Sequence, residues 1–346
     1  MLSNSSPHGT RILSANLTWV PIDSLSVGQS VITFDAEPQD KRYRMYRVGE
    51  ITEITNYEST TVRVETTDGC IDVGTQHPFF VKKWNKTMFR EAQKLEAGDQ
   101  IYTFTAPKVY QETDSYKHGY IKGAFAGDGS VPGWKNRVVD RQNANSYVSS
   151  TDVAIAQVVM EYAASVAPEY ELSLKERKYN EHGDTAVMPV APSRCADAIR
   201  EDLMSEYPKH DEEFARGWLA GMFDTDGTYP EGKQLAFCQY EGDVFDRVCD
   251  YLDLLGYEWT HDPGVEGDYS GMIRLTPGRE TGVVYDFLME IRPKVARKRL
   301  AFAGNKRIGG HTTVNTVEKR GAQTVYTVDT TEGTLIAEGM LMASDE

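Results

Sequence analysis

The stretch RGWLAGMFDTDGT, Arg216 to Thr228, repeats without a gap an earlier one, HGYIKGAFAGDGS, His118 to Ser130. A repeat of this kind constrains the fold more than any other feature of the chain, because two copies of one unit imply two similar halves. Gly119 pairs with Gly217, Gly123 with Gly221, Phe125 with Phe223, Asp128 with Asp226 and Gly129 with Gly227. Each copy reads as a helix whose spaced glycines leave one face nearly bare, so that another backbone can pack very close. Each then ends in an acid, where the negative end of a helix disfavours carboxylates. Gly227 is expected in the left-handed conformation that closes many helices. Asp224 is answered by Ala126 in the first copy and is therefore expected to matter less than the shared pair, Asp128 and Asp226.

An acidic surface turn is the plain alternative. A calcium loop is excluded by spacing, which would require an acid at Met222 and a glutamate at Lys233. After each copy a similar order of elements is predicted. YVSST, TDVAIAQVVMEYAASV, YELSLKERKY and SRCADAIREDLM read as strand, helix, strand and helix, and QLAFCQ, GDVFDRVCDYLDLLG, GMIRLT and ETGVVYDFLMEI repeat that order. If the two bare-faced helices pack together, Asp128 and Asp226 meet at their ends. Like charges repel there unless a divalent cation holds them. Hard cations of the magnesium type suit such oxygen ligands, and metal sites of this kind stabilise an in-line phosphodiester displacement.

The second copy, LAGMFDTDG, resembles the signature of LAGLIDADG homing endonucleases at nearly every position, and the resemblance covers roughly residues 107–305. It implies an inserted α/β endonuclease domain of pseudo-twofold symmetry, with repeats about 115–212 and 213–303, whose saddle of antiparallel strands lies on long duplex DNA. It also implies Mg2+ or Mn2+ at Asp128 and Asp226, with the preceding Gly127 and Thr225 in the metal site. The first copy departs from the pattern at Lys122, where a small residue is usual, and at Ala126.

The flanks, residues 1–106 and 306–346, read as strands broken by Gly, Asp and Asn turns. WVPIDSLSVGQSV, KLEAGDQI, TQHPFF and VYTVDTTEGTLIAEGMLM are similar to the hedgehog/intein (Hint) self-splicing fold, which implies one all-β domain formed by both chain ends. By that resemblance Ser5, or Ser6 with a gap, stands at the nucleophile position, where serine needs stronger activation than a thiol. His77 matches the histidine that protonates the departing amide, an ordinary structural histidine being the alternative, and Gly74 replaces the usual threonine. Ala343 and Ser344 stand in the places of the penultimate histidine and terminal asparagine, and serine has no amide to cyclise. Splicing is expected to be lost. Only Met1 to Asn4 precede Ser5 and only Asp345 and Glu346 follow Ser344, which leaves no host to be joined.

Charge opposes a DNA-binding role. The chain carries a formal −15, and residues 107–305 hold 22 basic against 33 acidic side chains, whereas DNA affinity rests on neutralising phosphates. Basic residues nonetheless cluster at Lys135, Arg137 and Arg141, at Lys175, Arg177 and Lys178, and at Lys294, Arg297, Lys298 and Arg299. Each cluster is either a solvated face or a contact to phosphate. Lys175 or Lys294 is the candidate to steady developing charge in catalysis, and Lys298 is grouped with the DNA contacts. Cys70, Cys195, Cys238 and Cys249 lack metal or disulfide spacing and are expected as reduced core thiols. No apolar run has membrane length and the start lacks a signal peptide's regions, so a cytoplasmic monomer that needs no protein partner is expected. The expected function is metal-dependent cutting of double-stranded DNA. The alternatives are self-processing at Asn4–Ser5 and a non-cutting DNA- or RNA-binding protein.

Overall fold

The computed structural model describes residues 5–38, 44–83, 86–104, 111–132, 145–150, 152–178, 185–229, 234–263, 271–276, 283–304 and 307–344. The chain divides into two compact units, one of Met1–Ala106 with Phe302–Glu346 and one of Pro107–Ala301.

The first unit is built from strands β1 (Ser6–Pro7), β2 (Arg11–Leu13), β3 (Trp19–Pro21), β4 (Ser30–Phe34), β5 (Tyr46–Thr66), β6 (Cys70–Gly74), β7 (Pro78–Lys83), β8 (Lys86–Glu91) and β9 (Gln100–Tyr102). Three strands late in the chain, numbered after those of the other unit, complete it: β18 (His311–Thr330), β19 (Thr334–Ala337) and β20 (Met340–Ala343). Both flanks enter one antiparallel sheet, in the order β3-β2-β19-β20-β7-β9-β18-β5-β4, with β1 on β18, β6 on β5 and β8 on β7. Inward positions of the alternating strands supply the core, Ile12, Val31, Val64, Val73, Phe79, Leu335 and Met342 among them. Tyr46 meets Phe104 at 5.1 Å between ring centroids and Phe302 at 6.4 Å, both edge to face. These aromatic contacts hold together the points where the chain leaves this unit and re-enters it.

The second unit contains α1 (Asp114–Asp128), β10 (Gly129–Ser130), β11 (Ser146–Val148), α2 (Val153–Val166), β12 (Ser173–Lys178), β13 (Thr185–Ala191) and α3 (Ala196–Met204). It continues with α4 (Glu212–Asp226), β14 (Gly227–Thr228), β15 (Ala236–Gln239), α5 (Asp243–Leu254), β16 (Trp259–Asp262), β17 (Gly271–Leu275), α6 (Val283–Ile291) and α7 (Ala296–Arg299). Its two antiparallel sheets share one strand order, β10-β11-β13-β12 and β14-β15-β17-β16.

Each half therefore has strands that the sequence pattern did not show. β13 contains Pro189, which argues against a strand, and β16 is a short edge strand whose residues 260–262 are exposed. The repeated order of the sequence pattern matches GMIRLT with YELSLKERKY, whereas by position in the sheets β17 corresponds to β13 and β16 to β12.

α1 and α4 start alike, with Thr113 accepting from the Tyr116 N–H and Asp211 from the Phe214 N–H, side-chain caps for donors that a helix start leaves over. They end alike as well, but not as expected. Gly227 has φ −77° and Gly129 has the same φ, so neither is left-handed. Glycine is required there by crowding: a Cβ would lie 2.2 Å from the Phe125 carbonyl oxygen at Gly129 and 2.0 Å from the Phe223 ring at Gly227. The thiols also divide differently from expectation. Cys195 and Cys249 are buried, whereas Cys70 and Cys238 are exposed.

Candidate nuclease site

The glycine faces of α1 and α4 lie against each other. A Cβ at Gly119 would sit 2.3 Å from the Phe214 carbonyl oxygen, at Gly123 2.1 Å from that of Trp218, at Gly217 1.9 Å from that of Tyr116 and at Gly221 2.2 Å from that of Tyr120. Approach continues to the last turn, where a Cβ on Gly127 would meet Thr225 Oγ1 at 2.0 Å and Asp226 Oδ2 at 3.2 Å. The Asp226 carboxylate thus lies beside the backbone that carries Asp128. Asp128 is exposed, while Asp226 is half-buried and accepts a bond from Gln239 on β15. Gln239 was not singled out in the sequence; its distance from the motif hid it. Thr225 turns its hydroxyl back to the carbonyls of Gly221 and Met222, at 3.1 and 3.0 Å.

Lys298 is placed differently from its expected role as a phosphate contact. It is only 8% exposed, and its Nζ donates to the carbonyl oxygens of Phe223 at 2.7 Å, Asp224 at 2.8 Å and Thr225 at 3.3 Å. A cation there offsets the negative end of α4. Burial pushes the ammonium down to about 8, against the opposing pull of Asp224, Asp226 and Asp128. Its charge thus bears on Asp226 and Asp128 as well as on Asp224. The Lys294 ammonium pairs with Glu112, over the faces of Tyr116 and Tyr162. Burial lowers its pKa as well, opposed by Glu112.

Asp224 is also more than a spare acid. It is 2% exposed and accepts from the Tyr120 hydroxyl at 2.8 Å and from the backbone N–H groups of Lys294 at 2.7 Å and Val295 at 3.1 Å. Burial pushes its carboxyl up to about 6 despite these donors.

The unusual Lys122 of the first copy is explained by its partners. Its buried ammonium lies 3.2 Å from Asp202 and donates to Ser205 Oγ at 2.8 Å. Asp202 also bonds His118 and Tyr170, just as Glu290 in the other half bonds Arg216 and Tyr257.

Among the expected DNA contacts, Lys175 is exposed on edge strand β12, and the backbones of Arg177 and Lys178 continue that strand opposite Ala186 and Thr185. Lys135, Arg137 and Arg141 lie outside the described residues.

In the first unit His77 is fully buried and its Nδ1 accepts the Ser5 backbone N–H at 2.9 Å. Ser6 instead pairs with Tyr326 in the β1–β18 ladder. A Cβ at Gly74 would lie 2.0 Å from Ser5 Oγ, so the glycine makes room for that hydroxyl. Ala343 pairs with Thr334, and Ser344 is buried with its Oγ accepting the Thr330 N–H at 3.3 Å.

No protein-family model matches the sequence, and no curated protein does. Solved structures with which the chain shares some likeness include a mesophilic variant of the homing endonuclease I-DmoI, at 10% identity over 54% of this chain and 99% of that one, with a TM-score of 0.39. Another is the N-terminal LAGLIDADG domain of DUF199/WhiA, at 12% identity over 52% of this chain and 81% of that one, with a TM-score of 0.38. A bacterial intein-like domain from Clostridium thermocellum is 26% identical over 29% of this chain and 67% of its own, with a TM-score of 0.24. I-DmoI has been solved in complex with DNA and Mn and in complex with DNA and Ca. All three TM-scores lie below 0.5.

Proposed function

We propose that the second unit is a pseudo-twofold, metal-dependent endonuclease for double-stranded DNA, acting as a monomer, and that the first is a Hint-type frame that has lost splicing. The observation that carries this reading is the backbone-to-backbone packing of α1 and α4, which continues to Gly127 and Thr225 and sets the Asp226 carboxylate beside the Asp128 turn. Two similar helices pressed together by glycine, each ending in an acid, form a local concentration of negative charge in which like charges repel unless a cation intervenes.

The donor set fits a hard cation. Among the described residues no three His, Cys, Asp or Glu side chains converge, and magnesium is commonly held by one or two carboxylates together with phosphate oxygens and water. Asp128 and Asp226 would hold it, with the carbonyls of Gly127 and Thr225 adjacent. When bound, such an ion supplies Lewis-acid stabilisation of the phosphodiester oxygens. Gln239 orients the Asp226 carboxylate. Lys298 supplies a fixed positive charge that reduces repulsion between the acids and favours negative charge developing on the phosphate. Lys175 on β12 supplies a phosphate contact.

The test is selection of cleaved sites from a randomised or genomic duplex library with magnesium. A rare long site is expected, and Asp128→Asn or Asp226→Asn should abolish double-strand cutting while leaving binding largely intact. If Asp128→Asn cuts as well as the parent, the paired-carboxylate mechanism fails; if the parent itself cuts no duplex, a non-cutting DNA- or RNA-binding role replaces the nuclease reading.

A second activity, self-cleavage at Asn4–Ser5, is favoured by the Ser5 N–H to His77 contact. Ser5 Oγ would bond to the Asn4 carbonyl carbon as the Asn4–Ser5 C–N bond breaks. The hydroxyl proton would pass to the departing amine through His77, and water would then hydrolyse the ester. Hydroxylamine treatment of an N-terminal fusion should release the leading segment, and a His77→Asn fusion should stay intact. Equal release from both would remove His77 from this role.

A further inference from the structure

The end of α4 and the segment entering α7 hold each other through two side chains. Asp224 reaches from α4 to the N–H groups of Lys294 and Val295, at 2.7 and 3.1 Å, and Lys298 reaches back from α7 to the carbonyls of Phe223, Asp224 and Thr225, at 2.7, 2.8 and 3.3 Å. Each segment's charged side chain thus bonds backbone groups of the other, N–H groups ahead of α7 and carbonyls in the last turn of α4, of which that of Phe223 also accepts the Gly227 N–H. Both side chains are buried, and neither charge would be tolerated there without such partners. Tyr120 of α1 donates to the same carboxylate at 2.8 Å, which ties the clasp to the glycine interface.

We propose that Asp224 is a positioning residue of the nuclease site: through this reciprocal clasp it fixes Lys298, and with it the last turn of α4, against the acid pair. The first copy is held differently, because Ala126 at the matching place has no side-chain acceptor. This explains why the second motif carries two acids and the first carries one. Asp226 serves the site, whereas Asp224 serves the lysine beside it. The proposal rests on the nuclease reading for what is positioned, but the clasp can be measured without DNA.

The experiment uses the full chain with Asp224→Asn, Lys298→Met and the double variant. Amide hydrogen exchange of the DNA-free protein is read at Lys294 and Val295 and at Gly227, whose N–H closes α4 on the Phe223 carbonyl. A reciprocal clasp predicts that either single substitution speeds exchange at both places by about tenfold or more. On cleaved duplex, each single variant should lose single-turnover rate with little change in DNA Kd. The double variant should be no slower than the slower single, since residues acting as one unit are not additive. The proposal is overturned if each substitution loosens only its own contacts, or if the two rate losses multiply. Should the parent cut no DNA, the nuclease reading fails, and the exchange measurement alone decides the clasp. Should Asp224→Asn not fold, Lys298→Met carries the same test, with loosening at Lys294 and Val295 as the supporting result and unchanged exchange there as the overturning one.

Discussion

The His77 imidazole accepts the Ser5 backbone N–H at 2.9 Å with none of its ring open to water. Burial pushes its pKa down to about 3, with the Ser5 bond opposing the fall. Nδ1 is the acceptor, so the ring proton sits on Nε2, which lies 2.8 Å from Met342 Sδ. An unfolded histidine takes up a proton near pH 6.5. Below that pH the unfolded chain binds a proton that the folded chain refuses, and stability falls as pH drops from about 6.5 toward 3. The slope attributable to His77 is about 1.4 kcal/mol per pH unit. His77→Asn keeps an acceptor for Ser5 but does not titrate. Denaturation midpoints between about pH 4 and 6.5 should therefore fall less steeply in the variant, and parallel curves would assign the acid sensitivity elsewhere.

Ser344, at the other end of the first unit, has no side-chain amide to cyclise. Ser344 Oγ is occupied by the Thr330 N–H, in a buried hydroxyl cluster with Thr330 Oγ1 at 3.4 Å. Foreign domains fused to both ends should give no ligated product by intact mass. Ser344→Asn alone should not create one, because a larger amide must displace Thr330 and Ala343 supplies no imidazole. A spliced host of the expected mass would refute this.

The repeat was the most legible part of the chain, since glycines at matched positions can only mean close approach. The acids were legible as a pair for the same reason. The division of labour between Asp224 and Asp226 was not, because it depends on Lys298, which follows the motif only after the whole second sheet. The sequence pattern grouped Lys298 with its basic neighbours, and nothing in RPKVARKR distinguishes a lysine turned onto backbone carbonyls from one facing solvent. Periodicity also failed at β13 and β16, where a proline and an exposed short edge conceal strands that exist through pairing. In the first unit, Ser5 and Ser6 were not separable by alignment. Hydrogen bonding separates them, with Ser5 at His77 and Ser6 in the ladder with Tyr326.

The glycine interface should tolerate no side chain. At Gly123 a Cβ would stand 2.1 Å from the Trp218 carbonyl oxygen and at Gly221 2.2 Å from that of Tyr120, both rigid helix backbone. Gly123→Ala or Gly221→Ala must push α1 and α4 apart, at a cost of about 1–3 kcal/mol or more. Gly69 offers a control, since no atom lies within 4 Å of its added Cβ. Calorimetry should show a lower midpoint for the interface variants than for Gly69→Ala. Equal midpoints would mean that the helices are not in backbone contact.

The basic residues divide into two classes that salt dependence can separate. Lys175 is exposed on the edge strand β12, where its ammonium is open to a phosphate. Each phosphate contact releases counterions and adds about one unit to the slope of log affinity against log salt. Lys175→Met should therefore weaken binding to any duplex and flatten that slope by about one unit. Lys298 is buried on the carbonyls of Phe223, Asp224 and Thr225, so its ammonium releases no counterion. Lys298→Met should leave the slope unchanged and lower the cutting rate instead. Lys294→Met, which removes the ion-pair partner of Glu112 and leaves that carboxylate with the Tyr162 hydroxyl, should destabilise the unit and leave the slope equally unchanged. Titration of binding across salt concentrations separates Lys175 from the other two, and cutting rate against stability separates Lys298 from Lys294. A flattened slope in Lys298→Met would return that residue to the DNA surface and remove it from the acid pair.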